Sequence, residues 1–97
     1  LQPSYVIGID LGTTNCGMAF ADARAGDPHS SPEVAQFGIP QLVNPGDVRE
    51  EPLLPSSLFL PGDADFPAGS LALPWNSDPG FVVGVLAQKR GAENARR

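Results

Sequence analysis

Tyr5-Val6-Ile7-Gly8-Ile9-Asp10-Leu11-Gly12-Thr13-Thr14-Asn15-Cys16-Gly17-Met18-Ala19-Phe20-Ala21-Asp22 reads as two strands joined by a polar turn. The first eight residues are rich in β-branched and aromatic side chains and stop at a glycine. That predicts a strand over residues 5–12 that buries Ile7, Ile9 and Leu11 on one face. Residues 16–22 alternate in size, with Cys16, Met18 and Phe20 on one side and Gly17, Ala19 and Ala21 on the other. A period of two is that of a pleated strand. With only Gly12-Thr13-Thr14-Asn15 between them, the two strands pair most simply as an antiparallel hairpin.

Outward from this hairpin, residues 23–32 form a polar loop with Gly26, Asp27-Pro28 and Ser31-Pro32, and residues 34–39 read as a third strand returning beside the second. A meander results. Asn44-Pro45-Gly46-Asp47 is a turn signal, and Pro52 and Pro55 delimit an extended stretch. Residues 57–60 make a fourth short strand closed by Pro61-Gly62-Asp63. Residues 64–80 contain Pro67, Pro74 and Pro79 and read as an irregular excursion with a short strand at residues 70–73. Phe81-Val82-Val83 is strand-like, and residues 85–90 begin a helix that Gly91 interrupts or caps.

Ninety-seven residues provide for one small unit, because domains commonly run to ~100–150 residues. Eleven Gly and eleven Pro disfavour a helical bundle. Six basic residues against eleven acidic ones give a net charge of −5, which excludes a general electrostatic hold on nucleic acid or anionic lipid. An anionic ligand must therefore be bound locally. The single cysteine, Cys16, has no internal partner, and no Cys or His pair has metal-ligand spacing. The chain shows neither a secretory leader nor an apolar run of the ~18 residues that span a bilayer. A cytoplasmic, reducing compartment is the expectation. Four of the six basic side chains fall in residues 89–97, a polar run that reads as cut in mid-element, so the chain is expected to be the N-terminal piece of a longer protein.

The chemistry concentrates in Asp10-Leu11-Gly12-Thr13-Thr14-Asn15. A carboxylate at a strand end, a glycine that admits close backbone approach, and two adjacent threonines whose amides and hydroxyls share one concavity are the parts that hold a phosphate and its metal. In an acidic protein, amides and a metal ion can oppose the charge of a polyphosphate without Lys or Arg. The plainer alternative is a hairpin turn in which Thr13 and Thr14 satisfy their own backbone and Asp10 is solvated. By average composition such a string arises by chance in roughly one chain of this length in a few hundred. Elsewhere, His29 reads as surface filler, Cys16 as a small buried hydrophobe, and Trp75 as a local anchor for the excursion.

Ile7-Gly8-Ile9-Asp10-Leu11-Gly12-Thr13-Thr14-Asn15-Cys16 resembles the opening phosphate loop of the seventy-kilodalton heat-shock chaperones, whose ATPase domain shares its fold with actin and the sugar kinases. Leu54-Pro55-Ser56-Ser57-Leu58 is similar to that family's strand entered by a Pro-Ser pair. Val82-Val83-Gly84 followed by Ala87-Gln88-Lys89-Arg90 is similar to its Val-Gly strand end and Ala-Lys-Arg turn. The Pro/Gly excursion between Gly62 and Gly80 departs from the typical member and points to a divergent branch. The resemblance implies an α/β, actin-like (ribonuclease H-like) ATPase fold, of which residues 1–97 are the N-terminal portion and mostly an antiparallel β meander.

The resemblance further implies that Asp10 holds Mg²⁺ or its water shell, and that Gly12, Thr13 and Thr14 contact the β and γ phosphates of ATP. Asn15 continues the loop, and Thr13 serves the chemical step. Lys89 is the candidate for the family's catalytic lysine, although a gap-free match from Gly84 puts Gln88 in that slot. ATP and ADP are then the ligands, and client polypeptides and cochaperones bind through parts of the protein beyond these residues. Other readings on the same fold are a carbohydrate kinase or an actin-like filament protein; a reading of another class is a non-catalytic β module. The two phosphate loops of this family lie in two lobes, so residues 1–97 alone are expected to bind ATP weakly. They are also expected to leave an apolar sheet face and an edge strand uncovered, which favours self-association.

Overall fold

A computed structural model describes residues 4–24 and 33–94. The loop expected at residues 23–32 and its His29 lie largely outside the described residues, as do residues 95–97. The described residues form mostly antiparallel β-sheet with one helix. Strands β1 (Tyr5–Leu11) and β2 (Asn15–Asp22) form the expected hairpin, in register from Tyr5 opposite Asp22 to Leu11 opposite Cys16.

β2 is the central strand. Its other edge is shared by β3 (Val34–Gln36), which pairs with Ala19 to Ala21, and by β6 (Leu54–Pro55), which pairs with Asn15 and Cys16. The strand expected over residues 34–39 is therefore split. The Phe37 amide still donates to the Met18 carbonyl at 2.8 Å, and after Gly38 the chain leaves β2 to begin β4 (Ile39–Asn44). Gly38 permits this departure, because a Cβ there would press on the Glu50 side chain at 3.0 Å. β4 pairs with β5 (Asp47–Glu51) through the Asn44-Pro45-Gly46-Asp47 turn, in which Gly46 has φ of 75°. The turn was legible from its residues, whereas the two strands it joins were not, since Pro40 and three consecutive polar residues in β5 mask their periodicity.

β7 (Leu58–Phe59) is shorter than the strand expected over residues 57–60, and it pairs with β8 (Val82–Val83) across the excursion. No strand forms at residues 70–73. That stretch is turns, closed by hydrogen bonds from Ser70 N to Pro67 O and from Ala72 N to Gly69 O, plus an isolated bridge between Leu73 and Asn76. Trp75, at the tip of that bridge, is 63% exposed, so Phe66, Leu71 and Leu73 anchor the excursion instead.

The hydrophobic core lies away from the first hairpin. Leu42, Val82, Leu86 and Ala87 are buried together, with Val48, Phe59, Phe66, Leu71 and Leu73 packed around them. Helix α1 (Val85–Asn94) supplies Leu86 and Ala87. It runs through Gly91 rather than stopping there. Arg90, the residue immediately before it, lies over the Phe66 ring at 4.6 Å and faces Glu93 at 3.7 Å, contacts that offset the ~1 kcal/mol a mid-helix glycine costs. No helix among the described residues is long and apolar enough to cross a membrane.

By contrast, β1 is exposed. Directly opposed residues of antiparallel strands share a face, so the register puts Tyr5, Ile7, Ile9, Leu11, Cys16, Met18 and Phe20 on one side and Val6, Gly8, Asp10, Gly17, Ala19 and Ala21 on the other. The burial expected for Ile7, Ile9 and Leu11 is not met: they are 60%, 61% and 80% exposed, because no described element packs on that face. The uncovered apolar face that was also expected is what results. A radius of gyration of 17.2 Å, against about 13 Å for a compact chain near this length, reflects this projecting sheet.

Gln41 joins the parts. It is 2% exposed, its Nε2 donates to the Leu53 carbonyl at 3.0 Å and the Ile39 carbonyl at 3.3 Å, and its Oε1 accepts from Val85 N at 3.0 Å. The last bond satisfies an otherwise orphaned amide at the helix start, a role usually taken by the side chain of the N-cap residue itself. Here that residue is Gly84, with φ of 85°, where a Cβ would collide with Gln41 Oε1 and approach Leu54 Cδ1 to 2.7 Å. Gln41→Met conserves much of the shape and removes all three bonds, so it is expected to destabilise the chain by about 2–3 kcal/mol in urea unfolding. An unchanged midpoint would show that these bonds contribute nothing net.

Candidate functional site

The turn at residues 12–15 is built from the end of β1 inward. Gly12 N donates to Asn15 O at 3.1 Å, which extends the β1–β2 ladder one step past Leu11 and Cys16. A Cβ on Gly12 would run into the Asn15 carbonyl oxygen, so the glycine is a steric requirement of this closure. Thr13 and Thr14 follow at the tip, both exposed. Among the described residues, neither of their amides donates to a backbone carbonyl outside the strands.

Asp10 stands one residue before the end of β1. It is directly opposite Gly17, on the face that also carries Gly8. A side chain at Gly8 would meet nothing within 4 Å, and one at Gly17 would meet only Leu53 Cδ2 at 3.5 Å. The small residues therefore leave the Asp10 side of the sheet open. Among the described residues no group of three or more His, Cys, Asp or Glu side chains is gathered as for a metal ion. Asp10 is thus a single carboxylate, a donor set that fits Mg²⁺ held largely by water and ligand phosphates and does not fit a cage of protein ligands.

The β6 side supplies contacts that the sequence did not disclose. Ser56, immediately after β6, donates from Oγ to the Gly12 carbonyl at 2.7 Å, and its amide donates to the Thr14 carbonyl at 2.9 Å. Cys16 Sγ lies 3.4 Å from Ser56 Oγ and 4.0 Å from the Gly12 carbonyl, so the half-buried thiol packs on the same knot. In the sequence Ser56 is marked only as half of a Pro-Ser strand entry. The signal that could have marked it is the antiparallel pairing of Asn15 with Pro55, which puts the next residue level with Thr14.

Lys89 is placed differently. It lies on α1, and its Nζ donates to the Val43 carbonyl at 3.0 Å, tying the helix to the end of β4. Among the described residues it makes no hydrogen bond to residues 10–15. Gln88, the neighbouring candidate, is exposed. The molecule thus brings together Gly12, Thr14, Asn15, Cys16 and Ser56, with Thr13 exposed at the tip of the turn and Asp10 on the hairpin face opposite to Cys16, and it bonds Lys89 to Val43.

The larger hollows among the described residues lie outside this knot. One, of about 290 Å³, is in the excursion between Asp63, Phe66, Leu71 and Asp78. The other, of about 300 Å³, lies on the apolar sheet face between Tyr5, Ile7, Met18, Phe20 and Phe37. Neither is lined by residues 10–15. Comparison of the chain with protein-family models, with curated proteins and with solved structures gives no match.

Gly12→Ala is expected to open the turn, since overpacking of this kind costs about 1–3 kcal/mol. Hydrogen exchange of the β1 and β2 amides should accelerate by about ten-fold or more, while exchange in α1, on the separate core, stays unchanged. Equal protection of the hairpin in both proteins would remove the steric role of Gly12.

Proposed function

We propose that residues 1–97 form part of the nucleotide-binding domain of an actin-like ATPase of the heat-shock chaperone type, and that residues 10–15 bind the phosphates of ATP. The observation that supports this reading most directly is the turn itself. Its glycine leaves room for backbone alone, its two threonines are exposed, and a lone carboxylate stands on the adjoining glycine-lined face. Amides aimed into one concavity attract an anion without any basic side chain, which suits a chain of net charge −5.

The reaction is attack of water on the γ phosphorus with departure of ADP, for which a protein supplies positioning and charge stabilisation more than covalent chemistry. Gly12, Thr13, Thr14 and Asn15 orient the β and γ phosphates. The Thr13 hydroxyl donates most strongly as negative charge shifts in the transition state. Asp10 would hold the water shell of a Mg²⁺ ion, which would supply neutralisation of phosphate charge. Lys89, whose Nζ donates to the Val43 carbonyl, makes no hydrogen bond to the turn among the described residues. Polypeptide clients and cochaperones belong to other parts of such a protein. A sugar kinase on the same fold would use the same turn but pass the phosphoryl group to a sugar hydroxyl, and rapid ATP consumption only with added sugar would favour that alternative.

Thr13→Ala in the full-length protein is expected to slow single-turnover hydrolysis by roughly ten- to a hundred-fold and to weaken equilibrium ATP binding much less. Loss of binding with unchanged chemistry would contradict the role given to the hydroxyl. For Asp10→Asn, the Mg²⁺ concentration giving half the maximal rate should rise by about ten-fold or more, as it does when groups orienting a metal's ligands are removed. A superimposable Mg²⁺ titration would return Asp10 to the solvated end of a strand.

A further inference from the structure

Ser56 makes two bonds to the turn, and both go to carbonyls. Its Oγ donates to Gly12 O and its amide donates to Thr14 O. No described peptide bond is cis, and in a trans peptide the C=O and the N–H of the same unit point in opposite directions. The Gly12 carbonyl shares its peptide with the Thr13 amide, and the Thr14 carbonyl shares its peptide with the Asn15 amide. By drawing both carbonyls toward β6, Ser56 turns the Thr13 and Asn15 N–H groups the other way. A turn with the carbonyls reversed would present oxygen where a phosphate needs a donor.

Building on the phosphate-binding reading of residues 10–15, we propose that Ser56 is a positioning residue that aims the amides of the turn at the β and γ phosphates. The backbone half of this hold is common to any residue at position 56 other than proline. The hydroxyl half depends on the side chain, and it governs the peptide between Gly12 and Thr13. Glycine offers that peptide little resistance to flipping, so the Ser56 hydroxyl restrains the unit with the least intrinsic preference. Cys16 Sγ, 3.4 Å from Ser56 Oγ, packs against the hydroxyl and limits its alternatives.

Affinities of the full-length protein for Mg-ATP and for AMP, which lacks the β and γ phosphates, test this in wild type, Ser56→Ala and Ser56→Thr. Ser56→Ala should bind Mg-ATP about ten-fold more weakly with AMP affinity unchanged, and Ser56→Thr, which keeps the hydroxyl, should restore wild-type binding. Equal weakening toward both nucleotides would make Ser56 a structural residue and overturn the proposal. Unaltered Mg-ATP binding by Ser56→Ala would overturn it while leaving the phosphate reading intact. A wild-type protein that binds neither nucleotide would remove the phosphate reading and this proposal together.

Discussion

The buried Gln41 side chain is the interaction on which the remaining structure depends. One amide group satisfies the first helical N–H of α1 and the carbonyl of Leu53, and so fixes three separate parts of the chain around one point. The arrangement is demanding because the Gln41 amide is itself withdrawn from water, where an unmade hydrogen bond costs more than a made one contributes. It also dictates glycine at position 84, since the helix can approach Gln41 and Leu54 this closely only without a Cβ. The apolar cluster of Leu42, Val82, Leu86 and Ala87 then closes beside it.

From this point a continuous line of bonds reaches the turn. Leu53, held by Gln41, leads directly into β6, whose Leu54 and Pro55 pair with Cys16 and Asn15. Ser56 then holds Gly12 and Thr14, while the next carbonyl, that of Ser57, accepts from Gly84 N at the foot of the helix. The candidate site is thus tethered to the core through backbone, although it stands on the least covered part of the sheet. Such a site has a firm side, toward β6, and an open side, where no described strand pairs with the outer edge of β1 and both sheet faces carry exposed residues. An unpaired edge strand and an uncovered apolar face both favour association.

Charge explains why the binding chemistry proposed for the turn rests on amides. The described basic side chains are engaged locally: Arg24 with Asp22, Arg49 with Asp47, Arg90 with Glu93, and Lys89 with the Val43 carbonyl. The exposed pairs contribute little to stability, but each occupies its cation near its own element. What the turn offers an anion is therefore backbone dipoles and the two threonine hydroxyls.

Local pattern determined the first hairpin, its turn, the Asn44 to Asp47 turn, and the start of α1. In each the information lies in adjacent residues: alternation of size along β2, glycine where two backbones meet, good helix formers after Gly84. Asp10, Gly12, Thr13 and Thr14 were legible as a possible site for the same reason, being contiguous. Tertiary structure alone decided that residues 34–39 divide between two sheets and that the helix continues through Gly91. It also decided that Ile7, Ile9 and Leu11 stay exposed, that Lys89 bonds Val43, and that Ser56 grips the turn from more than forty residues away. Those outcomes depend on which distant element arrives alongside. A strand's periodicity states that one face can be buried; only the arrival of a partner with matching shape and bonds determines whether it is.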